Sequence, residues 1–142
     1  LIFELRKNKS KKKDQSSDLT LKTASLLIHA AKIDENYTDH EEEIIKKTIL
    51  EISNEDLNIE KIIENAKNME KDSNQILDFT KKVKNTSDKN KIRIVESLWK
   101  IIYSNKEADV YETNLMRRLA GLLYIDSKTM GDIKEKIKNR NS

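Results

Sequence analysis

Two polar segments combine carboxylate, amide and hydroxyl side chains in the same order, and they are the best candidates for chemistry. The first spans residues 34–41 and the second spans residues 105–112, 71 positions later. Each opens with an Asp or Asn, ends with a Glu seven positions on, and carries a Thr or Asp three residues before that Glu. We call them the first corner and the second corner. Two kinds of chemistry fit this spacing, namely helix capping and the binding of a cation.

Helix capping requires only the last four residues of each corner. In Thr38-x-x-Glu41 and Asp109-x-x-Glu112 the first side chain can accept a hydrogen bond from the backbone N–H three residues on. The Glu can then accept one from the N–H of the capping residue itself, which completes a capping box. Capping therefore explains most of the pattern.

A hard-cation site is the alternative, because carboxylates in a loop are ligands for Ca²⁺ or Mg²⁺. The spacing is not that of an EF-hand loop. His40 would instead favour a transition metal, whereas His29 is expected to be a packing or surface residue. The candidate ligands are Asp34, Asp39, Glu41, Glu42 and Glu43 at the first corner, and Asn105, Asp109 and Glu112 at the second.

The composition narrows the class of protein. The chain has 142 residues, no Cys, no Pro and two Gly, and 37% of its residues are charged. Such a composition is typical of a single helical domain without disulfides or thiolate metal sites. The motifs GxGxxG, GxxxxGK[ST] and GxSxG are missing, and no nucleophile stands out with a base. We therefore expect a non-enzymatic protein.

The basic character lies in the N-terminal segment. Residues 1–13 contain six of the 28 basic residues and one of the 25 acidic residues, so the remainder is slightly acidic. We expect residues 1–17 to be a flexible or interfacial tail and residues 18–142 to be the helical domain. One interpretation is a solvated charge run; the other is a contact with anionic lipid, in which the apolar residues at the start dip into the membrane. The basic residues concerned are Arg6, Lys7, Lys9, Lys11, Lys12 and Lys13. A nucleic-acid partner is not expected, because such domains carry a basic face on the fold itself.

Helical periodicity continues from residue 18 to the end of the chain. Apolar residues recur at three- and four-residue spacing in about seven segments. Breaks are predicted at the first corner, at Ser53-Asn54, at Asp72-Ser73, at residues 85–90, at the second corner and at Asp126-Ser127.

Residues 23–52 and 94–123 share one pattern, in which an apolar helix, a polar corner and a second apolar helix follow one another. Leu27 aligns with Leu98, and Lys46-Lys47 aligns with Arg117-Arg118. We therefore predict an all-α, single-domain bundle of two similar helix-corner-helix halves, related by a pseudo-two-fold axis and joined by two middle helices.

The second half resembles a known family. Its helix with Trp99, its corner Asn105-Lys-Glu-Ala-Asp109-Val-Tyr-Glu112 and the following Leu115-Met-Arg117-Arg118-Leu119-Ala120 are similar to the second half of a TerB-like, tellurite-resistance-associated domain. Ala30-Ala31-Lys-Ile-Asp34-Glu-Asn-Tyr37-Thr38-Asp-His-Glu41 is similar to the family's first corner. The resemblance covers roughly residues 20–138.

The resemblance implies a bundle of about seven helices in a bacterial protein connected with tellurite resistance or stress. It also implies metal binding by acidic corners, which would involve Asp34, Thr38 and Glu41, and Asn105, Asp109 and Glu112. Each corner lacks one acid of the family pattern, at Thr38 and at Asn105, and Glu35 and Lys106 replace the family's glycine.

The expected function is a TerB-like binding or scaffold module that holds a protein partner. The alternative is a divalent-metal-binding domain that uses the carboxylates of the corners, in a regulatory or a hydrolytic role. We expect a cytoplasmic location, with attachment to the periphery of the inner membrane as the variant that the tail would provide. The sequence leaves the oligomeric state open.

Overall fold

The computed structural model describes residues 18–33, 37–53, 58–73, 75–105 and 110–140. These residues form seven α-helices and a short 3₁₀ turn, and no strand occurs among them. The helices are α1 (residues 18–31), α2 (Asp39–Ile52), α3 (Ile59–Asp72), α4 (Ile76–Val83), α5 (Asp88–Ile102), α6 (Val110–Leu122) and α7 (Ser127–Arg140), and the 3₁₀ turn Tyr103–Asn105 follows α5. The prediction of an all-α bundle with about seven helices is confirmed.

Helix α5 lies at the centre of the bundle. It packs most extensively against α7 and α2. Eight of its residues are buried, and Leu98 and Ile102 are fully enclosed. An amphipathic helix normally buries one face, whereas α5 buries side chains towards several neighbours. The core of the domain is therefore organised around it.

Two polar contacts fix α2 against α5. The hydroxyl groups of Thr48 and Ser97 are hydrogen-bonded to each other in the interior. Arg93 on α5 donates from Nη1 to the backbone carbonyl of Glu51 on α2, at 2.8 Å. Each hydroxyl also donates to the carbonyl four residues earlier in its own helix, that of Ile44 or of Arg93. The contact between them shows that α2 and α5 meet at Thr48 and Ser97.

Helix α1 is tied to α3 by a buried carboxylate. Glu70 accepts a hydrogen bond from Lys32 Nζ at 2.7 Å, and its other oxygen lies 3.3 Å from Nδ1 of His29. The His29 ring also lies beside Phe79 of α4, with centroids 6.2 Å apart. The expectation that His29 is a packing residue agrees with these contacts.

Three details of the predicted elements were wrong. The sequence also predicts that Ser53-Asn54 caps the next helix, but α3 begins at Ile59 and is capped by Asn58, whose side chain accepts from the N–H of Lys61. The break predicted at residues 85–90 is shorter, because Ser87 caps α5 and the helix begins at Asp88. Ile92, one of the apolar residues whose spacing predicts α5, is exposed, and Lys91 is buried instead.

Some predictions remain untested. The pseudo-two-fold relation between the halves and the domain division after residue 17 stay predictions. The basic residues of the tail, from Arg6 to Lys13, lie outside the described residues.

Candidate functional site

The end of the first corner forms a complete capping box. The Thr38 hydroxyl oxygen accepts from the backbone N–H of Glu41 at 3.1 Å, and Oε1 of Glu41 accepts from the backbone N–H of Thr38 at 3.0 Å. The same Oε1 also accepts from the Thr38 hydroxyl group. Glu41 is only 1% exposed. A buried carboxylate needs such donors, so the prediction of capping at this corner is confirmed.

Glu42, the next residue, is at the centre of a network between α2 and α3. Its Oε1 lies 2.6 Å from Nζ of Lys67 and accepts from the hydroxyl of Tyr37 at 3.1 Å. Its Oε2 lies 3.7 Å from Nζ of Lys46, which also pairs with Glu60 at 2.8 Å. The hydrogen bond from Lys67, with further contributions from Tyr37 and Lys46, holds the pKa of Glu42 below its usual range.

Tyr37 covers this network. Lys67 Nζ lies 5.3 Å from the centroid of its ring, which is a cation–π distance. Burial of the phenol and the nearby carboxylate of Glu42 raise the pKa of Tyr37. A raised pKa keeps the phenol protonated, which agrees with its role as a hydrogen-bond donor to Glu42.

The predicted cation ligands at the first corner have different surroundings. Asp39, His40 and Glu43 are exposed, whereas Glu41 and Glu42 are held by the contacts above. Within the described ranges, no group of three or more His, Asp or Glu side chains could hold a metal ion. Asp34, the residue that opens the corner, lies outside those ranges. The cation site therefore stays a prediction.

The second corner is described only at its edges. Asn105 ends the 3₁₀ turn, but its side chain and Asp109 lie outside the described residues. Glu112 is buried in the first turn of α6. It thus shares its burial with Glu41, the residue at the matching position of the first corner. The capping box predicted for Asp109 and Glu112 stays a prediction.

A third corner, between α6 and α7, carries a feature that the sequence did not indicate. Tyr124 has a φ of 58° and is the only non-glycine residue in the described ranges with a positive φ. Its N–H donates to the carbonyl of Gly121 at 3.3 Å, and the N–H of Ile125 donates to the carbonyl of Ala120 at 2.9 Å. This pair of bonds is a Schellman motif, in which the left-handed position is usually occupied by glycine.

Tyr124 borders a cleft that we call the Tyr124 cleft, lined by Asp88, Lys91, Ile92, Tyr124, Ile125, Asp126, Thr129 and Ile133. The cleft has a volume of about 280 Å³. The Tyr124 side chain is 71% exposed and Ile92 is 41% exposed. Nζ atoms of Lys84 and Lys91 each lie 5.8 Å from the centroid of the tyrosine ring. Neither lysine has a carboxylate within ion-pair distance in the part of the chain that the structure describes.

Asp126 has a structural task at this cleft. Its Oδ1 accepts from the backbone N–H of Thr129 at 2.7 Å, which caps α7 at the break that the sequence predicted at Asp126-Ser127. The same hydrogen bond, from the backbone of Thr129, lowers the pKa of Asp126. This carboxylate is therefore oriented towards the helix N-terminus.

Comparison with protein families gave a match to the family model described as tellurite resistance protein TerB, over residues 20–135. The chain belongs to the TerB family. The match includes both corners, the Tyr124 cleft and nearly all of the seven helices, so the suspected membership is confirmed. Searches of curated proteins and of solved structures found no match.

The TerB-family domain has no helix, among those described, that is long and apolar enough to cross a membrane. The features that sequence reasoning missed are the left-handed Tyr124 with its two lysines and the pairing of Glu42 with Lys67. The sequence pattern named Glu42 as a candidate ligand but gave no sign of its partner Lys67, which lies on a different helix. The sequence gives no local signal at position 124. The residue expected at the left-handed position of a Schellman motif is glycine, and the nearest one, Gly121, lies three residues earlier.

Proposed function

We propose that this TerB-family chain is a non-enzymatic helical binding module, and that it holds a protein partner on the Tyr124 cleft. The observation that carries the proposal is the exposed Tyr124 ring in a left-handed backbone position. A non-glycine residue there costs about 1 kcal/mol relative to glycine. Backbone strain of this kind is often retained where the side chain serves function.

The chemistry of the cleft suits a protein segment with an apolar side chain next to a carboxylate. The faces of Tyr124 and Ile92 offer exposed apolar area, and tyrosine is enriched among residues that dominate binding energies. Lys84 and Lys91 would supply charges to the partner's carboxylate, since they lack a described ion pair of their own. We also propose that the partner belongs to a cytoplasmic stress system; the family description, which names tellurite resistance, supports the stress role.

The test compares two exposed tyrosines. Tagged wild-type protein, Tyr124→Gly and Tyr111→Ala are used to capture partners from an extract of the source cells, and captured proteins are quantified by mass spectrometry. Tyr111, on α6, is 77% exposed and does not line the cleft, so it is the matched control. A partner should be captured by the wild type and Tyr111→Ala but be depleted about tenfold with Tyr124→Gly.

The captured partner is then measured with purified protein by isothermal titration. Equal affinity for the wild type and Tyr124→Gly would show that the cleft is not the binding surface. Turnover of a substrate by the purified domain would contradict the non-enzymatic part of the proposal.

A further inference from the structure

A second cavity lies between α5, α6 and α7, and we call it the Trp99 pocket. It has a volume of about 220 Å³ and is lined by Trp99, Thr113, Met116, Arg117, Ala120, Ser127, Met130, Gly131 and Lys134. Since one water molecule occupies roughly 30 Å³ of liquid, the pocket has room for a short side chain or a small organic molecule. None of the residues that line the Tyr124 cleft lines this pocket.

The charge in the Trp99 pocket is unbalanced. Arg117 and Lys134 line it, and no acidic residue does. Neither cation has a carboxylate partner in the described ranges. Nζ of Lys134 instead lies 5.5 Å from the centroid of the Trp99 indole ring. An arginine fork and an ammonium group facing one space favour an anion.

Trp99 contributes an unused hydrogen-bond donor. Its side chain is 3% exposed, and its indole Nε1 is a buried donor without a partner in the described part of the chain. A buried unpaired donor is unfavourable, and most buried polar groups in proteins are satisfied. Because Trp99 lines the pocket, a ligand with an acceptor is the partner that the described part of the protein does not supply.

Gly131 leaves space beside these groups. It lies within α7, where glycine is less favourable than alanine. A Cβ atom at position 131 would meet nothing within 4 Å, so the packing of the protein itself does not require a glycine there. Met116 and Met130 are among the apolar residues that line the pocket. Methionine adapts readily to different apolar shapes.

We propose that the Trp99 pocket binds a carboxylate attached to a short apolar chain. The carboxylate lies between Arg117 and Lys134, replaces the contact of Lys134 with the indole ring, and supplies an acceptor for the indole N–H. The apolar chain lies against Met116 and Met130, in the space left by Gly131. This chemistry is offered by a small free carboxylic acid or by the C-terminal carboxylate of a peptide that ends in an apolar residue.

The test uses the single tryptophan of the chain, which gives one indole N–H signal in a proton–nitrogen NMR spectrum. The probes are hexanoate, hexan-1-ol, inorganic phosphate, and the tripeptide Gly-Gly-Leu with a free or an amidated C-terminus. A saturable shift of the indole signal with millimolar hexanoate or with the free-acid tripeptide is expected. Hexan-1-ol, phosphate and the amide should give no such shift. Tighter binding of hexanoate identifies a free acid as the source, and tighter binding of the tripeptide identifies a chain terminus.

Matched variants connect the shift to the pocket. Arg117→Met should weaken binding about tenfold, whereas Arg118→Met, which changes a residue of a different cavity beside His29, should leave it unchanged. Gly131→Leu should abolish binding by filling the space. Gly121→Leu is its control, because position 121 is equally open but outside the pocket.

Both leucine variants should fold, since leucine favours helix over glycine, and thermal unfolding checks this. Absence of a saturable shift with both carboxylates would overturn the proposal. So would binding by Arg117→Met that is as tight as that of the wild type, or a response to phosphate equal to that to hexanoate. These outcomes are independent of the Tyr124 cleft and of its partner.

Discussion

Nζ of Lys67 on α3 lies 2.6 Å from Oε1 of Glu42, which ties the third helix to the first turn of the second. Tyr37 donates to the same carboxylate oxygen from the chain segment before α2. The pair is partly exposed, so its net contribution to stability is modest, about 1 kcal/mol or less. The dependence of the Glu42–Lys67 contact on pH provides a clearer test of the pair than its contribution to stability.

Acid should weaken this contact in a defined range. The pKa of Glu42 is lowered from an ordinary value of 4.5, chiefly by the hydrogen bond from Lys67. A depressed pKa contributes stability above the ordinary value, and this contribution is lost as the pH falls through the lowered value. We therefore expect the free energy of unfolding of Glu42→Gln to fall less steeply below pH 4.5 than that of the wild type.

Urea unfolding followed by circular dichroism, at neutral pH and at a series of acid pH values, measures this difference. Glu43→Gln is the matched control, because Glu43 is the exposed neighbour without a described ion pair. Parallel curves for the wild type and Glu42→Gln would show that the Lys67 contact does not shift the titration.

The capping box at the first corner should make α2 sensitive to two substitutions. Thr38→Ala and Glu41→Ala should each lower the free energy of unfolding by about 1 kcal/mol. Because the two side chains bond to each other's backbone, the effects should be less than additive in a double-mutant cycle. Denaturant unfolding of the two single variants and the double variant provides the measurement.

The same variants separate capping from cation binding. If capping is the task of Glu41, the loss of stability in Glu41→Ala is the same with millimolar Ca²⁺ or Mg²⁺ and without either ion. Stabilisation of the wild type by one of these ions, absent in Glu41→Ala, would instead support the predicted cation site that includes Asp34.

Two substitutions at Tyr124 should reveal the cost of its backbone conformation. Tyr124→Ala and Tyr124→Gly both remove the ring and its contacts with Lys84 and Lys91. Only glycine relieves the left-handed strain, so Tyr124→Gly should be more stable than Tyr124→Ala by about 1 kcal/mol.

Thermal unfolding of the two variants measures this difference directly. The same exchange at exposed Tyr111, inside helix α6, should have the opposite sign, because alanine is the better helix former. Equal stability of the two Tyr124 variants would show that the backbone of Tyr124 is not strained, and strain would then not support a binding role.

The basic N-terminal segment should bind anionic lipid vesicles if it serves as a membrane contact. Sedimentation with phosphatidylserine vesicles is expected to retain the full chain at low salt and to release it as salt rises, because screening weakens the attraction. Deleting residues 1–13 should abolish retention. Retention of the shortened chain would place the lipid contact on the helical domain.

Much of the helical fold could be predicted from spacing alone. The caps Thr38 and Asp126 lie directly before apolar-periodic segments, and the structure confirms both. The start of α3 was missed because Ser53, Asn54 and Asn58 are all residues that favour caps, so the residue type alone does not single out Asn58.

Burial along α5 was harder to predict, since a central helix has neighbours on more than one side. Ile92 lies at the rim of the Tyr124 cleft, where its exposure depends on how α5 meets the start of α7. The Glu42–Lys67 pair and the Trp99 pocket depend on the same kind of information. The pair and the pocket each combine residues from helices that are far apart in the sequence. The local spacing of residues does not predict which helices pack together.

The pairing of α2 with α5 has a consequence for how the chain acquires its structure. The hydroxyl contact between Thr48 and Ser97 joins residues 49 positions apart, and the apolar side chains of Ile45 and Ile49 are fully enclosed. A nascent chain that ends within residues 84–87 contains the residues of α2 but lacks those of the central helix that packs extensively against it. The similar halves of the sequence are thus not separate folding units, and cutting the chain between them should yield two fragments that become ordered only when mixed.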